Sequence, residues 1–341
     1  SSSGHDGAGV LCTQHPTGGG EWRRGWHTEI GPRDSADSVL VGGGGPSGLE
    51  AALTLARRGM AVSIAEKSRE FGGRLLWETR LPGLSQWGRV IDYRLEQLRK
   101  MANVTLYPES ELMAVDVMEF GVPHVVVATG ALWTAALCRA NELPGGVAQG
   151  PRVYTPDDIA AGIVPDGPVA VFDFDNYYMG SAVAEYLAEN GAGVTYITTA
   201  GAAGAWSFMT NEQPGIHQAL ARRGITLRTL EIVTGFDGKT LALAQIFSGE
   251  AREIAARSLV IVGQRAGGSE LHEALTQADL ARSGIRSLHL TGDAKAPGAI
   301  AHAVYQGHKT AREIGLAAAA TVRRDAPVAV TGAGPEQQAP Q

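Results

Sequence analysis

Three glycines and one acid are the residues whose types and spacing point to chemistry in this chain. Gly43, Gly45 and Gly48 stand as G-x-G-x-x-G, with Pro46 and Ser47 between the last two. Glu66 follows about 20 residues on, at the spacing where an acid accepts hydrogen bonds from an adenosine ribose. Gly43 permits a tight turn, Gly45 lets a pyrophosphate approach the backbone, and Gly48 lets a helix pack closely. This is binding chemistry for an adenosine diphosphate moiety, held by free N–H groups and the positive end of a helix dipole. Lys67 stands beside the acid.

The elements that must position these residues can be read around them. Val39, Leu40 and Val41 form a short apolar run of the kind a buried parallel strand uses. Leu49, Ala52, Leu53 and Ala56 recur at helical spacing, and Ala61 to Ala65 make a second strand closed by Glu66. Strand, helix, strand and terminal acid in register lift the glycine pattern above an ordinary turn. Downstream, Gly73 and Arg74 lie in KSREFGGRLL, where paired glycines let backbone approach a ligand and an arginine can neutralise pyrophosphate. Val125 to Val127 lead into Ala128, Thr129 and Gly130, a buried strand ending in a turn.

Composition fits a soluble α/β protein rich in tight turns. The chain has 341 residues, 45 glycines, 19% charged residues and a formal net charge of -6. The charge argues against nucleic acid as a main partner, and no apolar stretch reaches the length of a membrane span. No basic-then-apolar leader is seen, so a cytoplasmic location is expected. The start is small and polar without an initiator methionine, which reads as a fragment or a processed chain. Two cysteines, Cys12 and Cys138, cannot build a disulfide framework or a self-contained zinc site. Without a C-x-x-C pair, a redox-active disulfide of the thioredoxin reductase kind is not expected.

Further along, Arg89 to Met101 has the pattern of an amphipathic helix and Val104 to Tyr107 that of a strand. Pro151 to Asp166 reads as a linker. A second strand-helix-strand unit begins at Pro168, with a helix from about Met179 to Glu189 and a strand from Val194 to Ile197. Where a pyridine nucleotide needs glycines it has Asp173, Asp175, Asn176 and Tyr177. Two carboxylates there would repel pyrophosphate, so the turn is expected to cap its helix and fill the site with side chains. Pro214 to Gly224 reads as a helix, and Ser258 to Val262 and Arg286 to Thr291 as strands. Gly292, Asp293 and Ala294 precede a long helix from Pro297 to about Ala317. His302 and His308 on it are six apart and do not share a face as metal ligands would. The arm from Leu11 to Asp34 carries Trp22, Arg23, Arg24, Trp26 and His27. It reads as a packed surface arm, with Arg23 or Arg24 able to face a cofactor phosphate.

GGGGPSG with Glu66, then GGR, ATG and TGDA before a long helix resemble the two-dinucleotide-domain flavoproteins of glutathione-reductase-like fold. More closely, LCTQHPTGGGEWRRGWHTE and YYMGSAVAEYLAENGAGVT resemble the C-terminal half of the trimethylamine, dimethylamine and histamine dehydrogenase family. The chain is more distantly similar to the same part of 2,4-dienoyl-CoA reductase. The resemblance implies an α/β fold of two Rossmann-like domains, the second inserted in the first. It divides the chain into an arm over 1–37, a FAD- or ADP-binding domain over 38–150 and 266–317, a degenerate NAD(P)-like domain over 151–265, and a flexible tail over 318–341. It places Asp293 near a flavin ribitol and makes Cys12 the last thiolate of a four-iron, four-sulfur cluster. The relatives so implied carry FMN in an N-terminal barrel, where the substrate is oxidised. ADP is bound in the amine dehydrogenases and FAD in the reductase. Gly298 stands where relatives often place an arginine. Expected partners are the FMN barrel, on the same polypeptide or another subunit, an electron-transfer flavoprotein, and further copies of the chain. Two other readings stay open: a complete NAD(P)H-dependent FAD reductase, and a non-catalytic ADP-binding docking module. No residue here is assigned a catalytic role.

Overall fold

The computed structural model describes residues 11–18, 26, 30, 31, 37–135 and 151–315. Trp22, Arg23, Arg24, His27, Cys138 and the tail beyond 317 lie outside the described residues.

From Asp37 the chain runs β1 (Ser38–Gly42), α1 (Pro46–Arg57), β2 (Ala61–Ala65), α2 (Leu75–Glu78), α3 (Arg89–Arg99), β3 (Val104–Tyr107), α4 (Ala114–Phe120) and β4 (His124–Val127), then crosses over on β5 (Ala131–Thr134). The next segment runs β6 (Val153–Tyr154), α5 (Pro156–Ala160), β7 (Val169–Asp173), α6 (Met179–Glu189), β8 (Val194–Thr198), α7 (Gln213–Arg222) and β9 (Thr226–Thr229). It continues through β10 (Glu231–Phe236), β11 (Thr240–Gln245), β12 (Ala251–Ala255) and β13 (Ser258–Val262). The chain returns on β14 (Gln264–Gly267) and closes with α8 (Glu270–Gln277), β15 (Ser287–Leu290) and α9 (Ile300–Glu313).

These strands build two parallel five-stranded sheets, ordered β15-β4-β1-β2-β3 and β6-β13-β7-β8-β9. β15 pairs with β4, Ser287 opposite His124, so the second sheet is inserted between the fourth and last strands of the first. β5 and β14 pair antiparallel and carry the chain out and back. The fold is α/β, with the topology of a glutathione-reductase-like pair.

Both faces of each parallel sheet are buried, which is why the central strands read as unbroken apolar runs. In β1, Val39 and Val41 face the cluster with Leu49 and Leu53 of α1 and Val304 of α9. Leu40 points to the opposite face, with Val125, Val127, Leu275 and Leu288. In the second sheet Val169 and Val171 pack against Val183 and Leu187 of α6. Ala170 and Phe172 pack against Leu241 and Leu243, so the antiparallel sheet β10-β11-β12 covers that face.

The stretch 151–166 is more than a linker. Thr155 and Asp158 form a capping box, Thr155 N to Asp158 Oδ2 at 2.7 Å, that starts α5. The last helix starts at Ile300, after Pro297 and Gly298.

Candidate functional site

β1 delivers the chain to the glycine turn, and backbone packing there leaves no room for side chains. Gly43 has φ +110°, and a Cβ on it would stand 2.3 Å from Ala128 O. A Cβ on Gly48, in the first turn of α1, would stand 1.9 Å from Gly43 O. Gly45 differs: nothing lies within 4 Å of where its Cβ would be. It precedes α1 with no side-chain cap, and Pro46 takes a first-turn position. The N–H groups of that turn therefore lack intrahelical acceptors and are available to an anion. Ser47 is buried, its Oγ 3.4 Å from Thr291 Oγ1.

Glu66 closes β2 beside this opening. Its Oε2 accepts Gly44 N–H at 2.7 Å and its Oε1 accepts Ser68 N–H at 2.9 Å. A carboxylate has about four lone-pair sites, so acceptor capacity remains for hydroxyl donors. Lys67 is exposed. Gly73 folds against the same opening, its Cβ position 3.1 Å from Gly45 Cα. On the other side, Ala128 N–H bonds Gly42 O at 2.7 Å, Gly130 O accepts Gly268 N–H at 2.9 Å, and Thr129 Oγ1 bonds Gly268 O. The structure thus gathers Gly43, Gly45, Gly48, Glu66, Gly73 and Ala128 around one crevice at the carboxyl ends of the strands, where open α/β sheets bind ligands.

Arg74 and Asp293 belong to a second feature, a polar knot at the junction of the two sheets. Arg74 reaches Glu78 Oε1 at 2.6 Å and Asp293 Oδ2 at 2.7 Å. Burial lowers its basicity, but Glu78 and Asp293 more than reverse this and raise its pKa. Its Nη1 is buried without an acceptor. Asp293 also takes Arg265 Nη1 at 2.7 Å and Gly298 N–H at 3.1 Å. Trp133 covers the knot, with the Arg265 guanidinium 5.2 Å from its ring centroid. Tyr178 OH donates to Glu78 Oε2 at 2.8 Å. Glu78, Trp133, Tyr178 and Arg265 were not singled out in the sequence. They come from separate elements, and no spacing relates them.

The second sheet's turn is filled, but not by capping. No side chain caps α6. Asp173 is fully buried, accepts Tyr196 OH, and accepts Asn176 N–H at 3.0 Å. A Cβ on Gly180 would stand 2.4 Å from Asp173 Cγ. Burial pushes the Asp173 carboxyl up to about 7, against the pull of the Tyr196 hydrogen bond. Asp175 is raised as well, by burial, against Arg265 and Arg74. Asn176 Oδ1 accepts Thr198 Oγ1 at 2.7 Å. Side chains occupy this turn where the first has open backbone.

The arm is fastened to the first sheet's helices. Cys12 is half-buried, and its Sγ accepts Gln14 N–H at 3.5 Å. Arg94 donates to Thr13 O at 3.0 Å. Trp26 packs against Tyr305 and His308, with ring centroids 5.6 and 5.5 Å away. His308 is buried against Glu50, Nδ1 to Oε1 at 2.9 Å, while His302 is exposed. Among the described residues no group of three or more His, Cys, Asp or Glu could hold a metal. A four-thiolate cluster therefore does not fit these residues by themselves.

A family model, the pyridine nucleotide-disulphide oxidoreductase, matches residues 37–286. The chain belongs to the pyridine nucleotide-disulphide oxidoreductase family. It is also homologous to dimethylamine dehydrogenase of Hyphomicrobium sp. (strain x), 31% identical over 90% of this chain and 46% of that protein. Histamine dehydrogenase from Rhizobium sp. 4-9 superposes with a TM-score of 0.86 at 38% identity, covering 91% of this chain and 49% of that one. The 6-hydroxypseudooxynicotine amine oxidase from Pseudomonas geniculata N1 gives 0.86 at 40% identity, covering 90% and 46%. The chain thus spans about half the length of these relatives. The family is one of oxidoreductases. No helix among the described residues is long and apolar enough to cross a membrane.

Proposed function

We propose that this chain is the nucleotide-binding C-terminal module of an FMN- and iron–sulfur-containing oxidoreductase resembling the amine dehydrogenases, with ADP held at the first sheet. The observation that carries this reading is the open backbone at Gly45, with Gly73 folded against it and no side chain capping α1. First-turn amides without intrahelical acceptors suit a diphosphate. Glu66 would take the ribose hydroxyls, and the first-turn amides of α1 the phosphates. Asp293 takes Arg74 and Arg265 on Oδ2 and Gly298 N–H on Oδ1, so Oδ1 keeps acceptor capacity, and the choice of ADP over FAD is supported by the likeness to the amine dehydrogenases.

In this reading the chain's own residues bind and orient the nucleotide and present Cys12 as one thiolate of a cluster whose other ligands lie elsewhere. The redox chemistry is supplied by FMN and the cluster, with substrate oxidised in an N-terminal barrel. An electron-transfer flavoprotein as acceptor, a homo-oligomer and a cytoplasmic location complete the proposal. A complete NAD(P)H-dependent FAD reductase is disfavoured by the filled turn at Asp173 to Tyr177.

Denaturing the purified protein and identifying the released nucleotide by mass spectrometry tests this. ADP with no flavin absorbance in the 341-residue chain is the expected result. FAD bleached rapidly by NADH would establish the reductase instead.

A further inference from the structure

Tyr178 and Glu78 set a phenol against a carboxylate in the geometry from which an electron and a proton can leave together. Tyr178 stands directly before α6, in the second sheet's unit, and its OH donates across the junction of the two sheets to Glu78 Oε2 at 2.8 Å. Glu78 belongs to α2 and is buried. Arg74 Nε holds its other oxygen at 2.6 Å, so the carboxylate is fixed in its aim. Burial raises the Tyr178 phenol well above its usual range, and the Glu78 charge adds to this against the pull of Arg74 and Arg265. The phenol therefore keeps its proton until something else drives it off.

That proton decides the redox chemistry. A phenol that loses an electron alone becomes a strongly acidic cation, which is costly away from water. A proton acceptor avoids the cation if it lies within about 2.6–3.2 Å of the hydroxyl oxygen, and Glu78 does. Tyr196 makes a similar bond to Asp173, but it is fully buried. Its acceptor is also pushed up to about 7, so below that pH Asp173 already holds a proton. Tyr178 is only partly buried, and so are Tyr177 and Trp87. The Tyr177 ring meets the Tyr178 ring edge-on, centroids 5.1 Å apart, and all three line one cavity of about 50 Å³. Oxidisable rings thus lead from the Tyr178 phenol toward the surface.

We propose that Tyr178 is a redox site, which yields one electron to a strong one-electron oxidant while its hydroxyl proton moves to Glu78. The oxidant is an oxygen-derived radical or an oxidised metal complex, and it takes the electron. The Tyr178 O–H bond breaks, an O–H bond forms at Glu78 Oε2, and a neutral phenoxyl radical remains. An electron returned by a thiol or ascorbate reverses both transfers. The site acts as a sink for stray oxidising equivalents and needs no bound nucleotide, so it goes beyond the function proposed above.

The test oxidises the 341-residue chain with flash-generated tris(bipyridine)ruthenium(III). Phenoxyl absorption gives the rate, and electron paramagnetic resonance gives the yield. Wild type should form a tyrosyl radical, more slowly in heavy water. Tyr178→Phe keeps the ring and the Glu78–Arg74 pair and should lose most of the signal. Glu78→Gln cannot take the proton and should form the radical about a hundredfold more slowly, as expected when a positioned base is removed. Trapping the wild-type radical with a nitroso spin trap and mapping the adduct by mass spectrometry should mark Tyr178. This needs no variant, so it decides the matter even if neither variant folds. Equal yield in Tyr178→Phe, an equal rate in Glu78→Gln, or adducts confined to other tyrosines, Tyr196 included, would each overturn the proposal.

Discussion

Glu50 of α1 and Arg94 of α3 form a buried ion pair, Oε2 to Nε at 2.7 Å, directly behind the helix that opens on the glycine turn. Burial raises the Glu50 carboxyl, but the His308 hydrogen bond and the Arg94 charge outweigh it and hold the group below the usual carboxylate range. The same guanidinium holds the Val90 and Thr13 carbonyls, so one buried cation joins α1, α3 and the arm.

Removing only one partner strands a charge. Arg94→Met should cost about 3–5 kcal/mol of stability, and Arg94→Met with Glu50→Leu should regain much of that. Urea unfolding of the single and double variants measures both. The single variant should also expose residues 11–18 to limited proteolysis.

The three glycines should separate by mechanism. Gly48→Ala drives a methyl into Gly43 O and should destabilise by roughly 1–3 kcal/mol or prevent folding. Gly45→Ala meets nothing within 4 Å, so its melting temperature should stay near wild type. Its methyl would enter the phosphate path and should weaken ADP about tenfold or more, which is ~1.4 kcal/mol. Calorimetric titration with ADP, paired with thermal melts, checks both.

Glu66→Gln should discriminate ribose from phosphate recognition. Glutamine keeps one acceptor oxygen but presents N–H₂ to one of the two backbone donors, Gly44 or Ser68. The unmet donor should cost about 1–3 kcal/mol of stability. ADP affinity should fall while inorganic pyrophosphate affinity stays unchanged. An equal loss for both ligands would remove Glu66 from the ribose.

Asp173 gives a pH dependence of defined sign. Its carboxyl moves from 3.8 to about 7 on folding, so the folded protein keeps a proton that the unfolded chain has released. The stability this contributes is complete below pH 3.8 and is lost as pH rises toward 7, at about 1.4 kcal/mol per pH unit inside that window. Asp173→Asn mimics the protonated form and should lack this decline. Urea midpoints from pH 4.5 to 7.5 for the two proteins, taken as a difference, isolate the effect.

Much of the frame was legible because periodicity and turn chemistry are local. The strands at 61–65, 104–107 and 258–262 and the helix at 179–189 lie where their patterns place them. The antiparallel strands β10, β11 and β12 were not legible. Glu231, Thr234 and Gly235 interrupt the apolar residues of β10, β12 is mostly exposed, and the core-facing Ile232, Val233, Leu241 and Leu243 make runs too short and too broken to stand out. The helix α5 was hidden inside a Pro- and Asp-rich stretch, although Thr155 and Asp158 carry its start signal. At the candidate site, glycine spacing and the terminal acid could be read, since each acts through its own backbone position. The knot of Arg74, Glu78, Trp133, Tyr178, Arg265 and Asp293 could not, because it exists only once two sheets meet. The carboxyl at Asp173 was visible as a departure from glycine, but its partner Tyr196 lies on the neighbouring strand and carries no motif.

The insertion of the second sheet before β15 sets the order of biogenesis. Within this fold a ribosome releases β1 and α1 before the rest, yet β4 lacks its outer neighbour and α1 lacks the cover of α9 until residues 287–313 emerge. Until those residues emerge, the apolar back of the helix that opens on the glycine turn is left bare to water, which makes nascent chains stalled before β15 targets for chaperones.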